Sequence, residues 1–395
     1  MWLSDFRVVL PEAVLPRGSV RIEGERIAEI AAHPVPGAAL EGDGLILMPG
    51  FIDMHGDMIE REVEPRPNVR MPLELGLHDL DRRLKVAGVT TGYAAVSFNP
   101  KSAYGHMRSY EHSKEMLRAL KAMRPELKVD HRVHARFEVN YPNALAVVEE
   151  LIADGTVDLV SLTDHTPGQG QYRDLERLTE RTRLEQGLSD REARAAVQAR
   201  IAEKQRQAGD LAATLRAISA TCAAHGIALA SHDDDTVDKV ALMQSLGATI
   251  SEFPVTPEAA GAARTRGLLT AMGAPNALRG ESYSGNLSAR DAHAAGLLDI
   301  LAADYHPSAI LPAVLILAKS DPQGLSGAAR LASANPARAL GLSDRGEIAT
   351  GKPADLVIAD DTGVGHVRAT VRNGRKIFSD GSILLRAEAP RREHA

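Results

Sequence analysis

Cysteine is nearly missing from this sequence: Cys222 is the only one in 395 residues. No intrachain disulfide can form, and an oxidising compartment has no support. Long apolar runs are missing too. The stretch LPAVLILA from Leu311 falls far short of the roughly 20 residues that cross a bilayer, so no membrane partner is expected. The opening residues MWLSDFRVVL place Asp5 and Arg7 where a secretory leader needs unbroken apolar sequence, which makes the cytoplasm the default expectation. Neither sign of charge dominates. A formal net charge of −6 gives no surface for coating a polyanion, so nucleic acid is not expected as a partner. A phosphorylated small molecule would have to be held by a local basic pocket. No short-period repeat or low-complexity tract is present.

What the chain does have is a regular alternation. From about residue 50 to 340, short β-rich apolar runs alternate with longer amphipathic segments, the pattern of βα units around a parallel sheet. Eight runs stand out: GFIDMHGD, VTTGYAAV, VHARFEV, VDLVSLTDH, IALASHDDD, ATISEFP, GAPNALRGES and LLDILAADYH. Eight such units predict an α/β fold, a closed (β/α)8 TIM-like barrel over residues 50–340. Both chain ends read as β instead. SVRIEGERIAEI has hairpin character, ADLVIAD is a short apolar strand, and Asn373-Gly374 is a turn signal. Termini of a domain often meet, so residues 1–49 together with 341–395 are expected to form one small β-sandwich-like domain. Between the fourth and fifth runs, residues 167–208 form a densely charged, helix-forming excursion. It leaves from the end of a strand where long loops serve as lids.

In a barrel of this kind, chemistry collects at the C-terminal ends of the strands. Those ends are rich in metal-ligand residue types. The first run ends in His55 and Asp57, the third in Glu138, the fourth in His165, the fifth in His232 and the eighth in Asp304. Residues i and i+2 of a strand project together, so His55 and Asp57 offer nitrogen and oxygen to one point. Glu252 on the sixth run is a further candidate ligand, and Asp164 with Asp233 to Asp235 could orient the histidines. His134 shares a face with Arg136 and Glu138 but is read as packing, as are His131, His78, His106 and His112. His225 before Gly226 reads as a helix C-terminal residue. The segment GAPNALRGESYSGN could present Arg279, Ser282, Ser284 and Asn286 to an anionic group, with Arg136 and the TPGQGQY loop nearby.

Taken in order, PGFIDMHGD, the barrel histidines, Asp304 and the returning tail GEIATGKPADLVIAD resemble the amidohydrolase superfamily over nearly the whole chain. SLTDHTPGQGQY, ASHDDDT, SEFPVT, GAPNALRGESYSGN and DILAADYHPS are similar to one phosphonate-degrading branch, which splits a ribosyl triphosphate into the 5-phosphate and pyrophosphate. The resemblance implies a metal-dependent hydrolase with one or two divalent ions, zinc first, with manganese or iron also admitted by the ligand set. His55, Asp57, Glu138, His165, His232 and Asp304 would be its metal residues, and Asp304 would also accept the proton of the attacking water. Arg136, Arg279, Ser282, Ser284 and Asn286 would bind substrate. Two positions depart from the wider superfamily: Asp57 stands in place of a second histidine on strand one, and Glu252 lies near an absent strand-six histidine. With no lysine at the usual bridging position, Glu138 is the expected bridging carboxylate. An amide- or imide-cleaving enzyme of the same fold, or a metal-free barrel acting as a scaffold, are the alternatives. A barrel exterior is also compatible with a homo-oligomer.

Overall fold

A computed structural model of the chain describes residues 1–66, 69–98, 108–141, 143–207, 210–282 and 285–383. The chain begins with five strands, β1 (Trp2–Val9), β2 (Val14–Glu23), β3 (Arg26–Ala31), β4 (Leu40–Glu41) and β5 (Ile46–Pro49). Eight barrel strands follow: β6 (Phe51–Gly56), β7 (Val89–Ser97), β8 (Asp130–Glu138), β9 (Leu159–Thr163), β10 (Ala228–His232), β11 (Ile250–Glu252), β12 (Leu269–Gly273) and β13 (Ile300–Ala302). The last three are β14 (Leu356–Asp360), β15 (His366–Arg372) and β16 (Arg375–Ser379).

Strands β6 to β13 pair in sequence order, each parallel to the next. A parallel ladder with helical crossovers buries both faces of its strands. This is why β7 is buried along its whole length although its sequence alternates little. The barrel closes where β13 meets β6, through a parallel bridge between Gly56 and Asp304. Asp304 N donates to His55 O at 2.8 Å and Asp57 N donates to Asp304 O at 2.7 Å. The closing seam therefore runs through three of the expected site residues. Ile52, Met54, Leu159, Ala230, Ile250, Ala271 and Ile300 fill the barrel interior below it, a packed floor rather than a pore.

The two ends of the chain meet in one sheet of order β16-β15-β14-β5-β1-β2-β3, with β4 on β1. Strand β5 lies between β1 and β14, and Gly50 alone separates it from β6. Phe6, Val8, Leu47, Leu356 and Ile358 form a core of this sheet distinct from that of the barrel.

The seventh run needs correction. The strand is Leu269–Gly273, and most of GAPNALRGES is a helix, Ala274–Arg279, capped by Gly280 at φ +84°. Pro275 sits in the first turn, where its missing N–H costs nothing, and the Ala and Leu that follow favour helix. Arg279 and Ser282 consequently lie a helix length beyond the strand end rather than on it.

Candidate metal centre and active site

Three residues that follow barrel strands take left-handed backbone: Asp233 after β10, Phe253 after β11 and Asp304 after β13, with φ of 53°, 55° and 54°. Such conformations are uncommon for residues other than glycine and cluster where surrounding structure over-determines them. Ladder hydrogen bonding continues through them, from Asp233 N to Glu252 O and from Phe253 N to Ala271 O. The chain is thus turned sharply just past His232 and Glu252, at the mouth of the barrel.

The predicted ligand residues converge there. His55 and His232 stack with ring centroids 5.7 Å apart, and His165 meets His232 edge-on at 6.0 Å. Asp57 lies just past the end of β6, and its Oδ1 comes within 3.3 Å of His55 Nε2. Glu138 Oε2 faces His165 Nδ1 at 2.6 Å. Asp304, Asp57, His55 and His232 line a cavity of about 620 Å³. His134 is buried below them with both ring nitrogens engaged, by Met54 O at 3.1 Å and Ser161 Oγ at 2.9 Å.

Glu252 is fully buried, with Oε1 2.7 Å from His55 Nδ1 and Oε2 3.1 Å from His232 Nδ1. Holding the inner nitrogen of each ring turns the outer nitrogens toward the cavity, the arrangement by which carboxylates orient metal-binding histidines. Asp53, which the sequence did not single out, accepts the His55 and Ala303 amides with one oxygen, tying β6 to β13.

The electrostatics fit a cation. Burial disfavours a charged His55, yet Glu252 and Asp57 outweigh it and push its pKa up to about 10. Burial also works against the Glu252 carboxylate, but the facing His55 and His134 hold it well below its ordinary range. Burial, then repulsion from Asp57, pushes Asp304 up to about 6. His232 is shifted downward, chiefly by burial, and is neutral as a ligand must be. His55 Nε2, His232 Nδ1 and Glu252 Oε2 are buried without an aligned hydrogen-bond partner, the last two close to each other but poorly directed. His55, His134 and Glu252 form one group whose donor atoms could hold an ion, and His165, His232 and Asp233 another. An orphaned buried imidazole nitrogen beside carboxylates, as His55 Nε2 is, is what a divalent cation would satisfy.

Arg136 lies inside the site. Its Nη1 donates to both oxygens of Asp57 at 2.9 and 2.8 Å, and its Nη2 donates to His232 Nε2 at 3.2 Å. Arg279, Ser282 and Asn286 line the cavity, and Ser284 lies outside the described residues. Arg61 and Arg108 line it as well and were missed in the sequence. They follow the first and second strands in segments with no visible anion motif. Arg108 is anchored by a two-point ion pair to buried Glu60, at 2.7 and 2.8 Å.

The charged excursion folds over this mouth as two helices, Leu175–Gln186 and Asp190–Gln207. Asp174 caps the first, and Gly187 ends it in left-handed conformation. Gly170 N donates to Asp235 Oδ2 at 2.8 Å, Arg200 Nη2 to His165 O at 3.0 Å, and Gln171 lines the cavity. Lys204 Nζ reaches Glu138 Oε1 at 2.6 Å.

A closed parallel barrel with carboxylates and imidazoles gathered at the C-terminal mouth defines a hydrolase barrel of the metal-dependent kind. Residues 46–377 match the amidohydrolase family, and the chain belongs to it. More particularly, it is 36% identical over 392 residues to the alpha-D-ribose 1-methylphosphonate 5-triphosphate diphosphatase of Escherichia coli (strain K12), covering 96% of this chain and all of that protein. Similar solved folds include N-acetyl-D-glucosamine-6-phosphate deacetylase from Mycobacterium smegmatis, at 18% identity and TM-score 0.63, covering 96% of this chain and 100% of that one. Another is 5-methylcytosine deaminase from Klebsiella pneumoniae, at 16% identity and TM-score 0.64, covering 98% and 99%. Among the described residues no helix is long and apolar enough to cross a membrane.

Proposed function

We propose that this enzyme hydrolyses alpha-D-ribose 1-methylphosphonate 5-triphosphate to the 5-phosphate and pyrophosphate, a step of phosphonate catabolism in the cytoplasm. The observation that carries the reading is one cavity holding both parts of such a site. The imidazole and carboxylate floor lies on one side, and Arg61, Arg108, Arg136 and Arg279 supply guanidinium groups around it. An amide-cleaving site has no need of so many fixed cations. The 36% identical diphosphatase supports the same substrate.

His55, Asp57, Glu138, His165, His232 and Asp304 would hold the metal, a set of three imidazoles and three carboxylates that suits zinc first and also admits manganese or iron. A bound divalent ion supplies water activation at neutral pH and neutralises phosphate charge. Asp304 takes the proton from the attacking water as oxygen adds to the α-phosphorus, and the bond to the β-phosphate oxygen breaks. The departing pyrophosphate carries the growing charge, which Arg108, Arg279 and the polar groups of Ser282 and Asn286 are placed to meet.

The test is pyrophosphate release from the ribosyl triphosphate with and without chelator. Release that stops with chelator and returns with zinc or manganese is expected. An enzyme that opens a cyclic amide and leaves the triphosphate intact would refute the proposal. Arg279 offers a second check because its side chain is 44% exposed, so removing it leaves the core untouched. Arg279→Ala should lower kcat/KM by about 10- to 100-fold, the worth of one charge-assisted hydrogen bond to phosphate. Its melting temperature should be unchanged.

A further inference from the structure

Lys204 is a buried ammonium, 5% exposed, brought into the site by a helix that otherwise looks like solvated surface. Two contacts to described residues define its place. Its Nζ donates to Glu138 Oε1 at 2.6 Å and lies 4.3 Å from the centre of the Tyr141 ring. The same oxygen accepts the His165 amide at 3.0 Å. A carboxylate oxygen has two lone-pair directions, and both directions of Oε1 are taken. Only Oε2, which faces His165 Nδ1, is left for a metal. Asp57 differs, since each of its oxygens takes one bond from Arg136 Nη1 and keeps a second lone-pair direction.

We propose that Lys204 is a resident counter-cation on Glu138 that confines this carboxylate to one divalent ion; with both His134 nitrogens held by Met54 O and Ser161 Oγ and so closed to a second ion, the centre takes a single ion and Glu138 does not bridge a pair. The proposal rests on the reading of the site as a metal centre. It gives the excursion a purpose beyond covering the mouth, because docking of the helix sets the charge that the incoming ion meets. Electrostatics fix the sign of the effect. A fixed positive charge opposes a nearby divalent cation, so removing it should tighten metal binding. A lysine that merely anchored the helix would, when lost, loosen the site.

The experiment uses the full chain stripped of metal and titrated with zinc against a chromophoric chelator, with elemental analysis after gel filtration. Wild type should retain one zinc per chain, and Lys204→Arg should match it. Lys204→Gln keeps a neutral donor of similar reach and Lys204→Met keeps only bulk; both should hold zinc at least about tenfold more tightly. Because Lys204 lies on the excursion, barrel melting checks that each variant is folded, and the Gln variant preserves the contact if Met disturbs it. Two zinc ions in wild type, or equal or weaker zinc binding in the Gln and Met variants, would overturn the assignment while leaving the metal centre standing. A wild-type chain that takes up no zinc would overturn the metal reading and this proposal with it.

Discussion

Replacing Asp304 with asparagine is expected to abolish most turnover, by about 10³-fold, with the fold intact. The magnitude is that of a general base removed from a reaction it serves directly. The fold survives because Asp304 supports the barrel with its backbone. Its N–H and C=O close the seam with His55 and Asp57, and its φ of 54° is a conformation that asparagine tolerates as well as aspartate does. The lost group is the one that can take a proton. Asp304 works as an acceptor only when charged, and burial followed by repulsion from Asp57 has pushed its pKa up to about 6. A bound cation stabilises the carboxylate, so in the zinc-loaded enzyme activity resting on Asp304 should fall about tenfold per unit only below a pKa lower than that metal-free value. The kcat/KM profile of Asp304→Asn should lack this limb. Thermal melting should stay near wild type and most zinc should be retained, because the asparagine carbonyl oxygen still faces the ion and the other ligands remain, and a variant with near-normal turnover would remove Asp304 from the role of base.

Most of the site was legible in the sequence because barrel topology turns chain position into spatial position. His55, Glu138, His165, His232 and Asp304 each follow an apolar run, and a parallel barrel puts all such ends on one face. Lys204, Arg61 and Arg108 carry no such positional mark. The helix holding Lys204 is mostly charged, and any lysine on it reads as solvated. One signal was available: Ala193, Val197, Arg200 and Lys204 recur at i, i+4, i+7 and i+11, a single stripe of the helix, and Ala193 and Val197 are its buried apolar members. A stripe that starts apolar and ends in lysine marks a cation carried inward. The seventh strand was misplaced for a local reason. LTAMG is short and buried, and a run of five apolar and small residues cannot be told from helix by periodicity. The polar residues after it drew attention one element too far.

Glu252 is where the sequence pointed to a ligand and the geometry points to an organiser, and its replacement should have the second large effect. One carboxylate accepts from His55 Nδ1 and lies against His232 Nδ1, so both rings present their outer nitrogens to the cavity. Glutamine cannot reproduce this, because an amide has one accepting end and one donating end. The ring that meets the NH2 group must turn its lone pair inward and carry its proton on the cavity side, where it can no longer bind metal. Glu252→Gln should therefore lose about 10- to 100-fold in zinc affinity, the range seen when the partner of a metal-bound histidine is removed, with turnover falling alongside. Glu252→Leu removes the charge that keeps His55 protonated without metal and leaves a buried imidazole pair unsupported. It should cost about 3–5 kcal/mol of stability in the metal-free chain, read by denaturant unfolding. If Glu252→Gln bound zinc like wild type, the two rings would have to be oriented by some other group, and the description of the site as built around this carboxylate would fail.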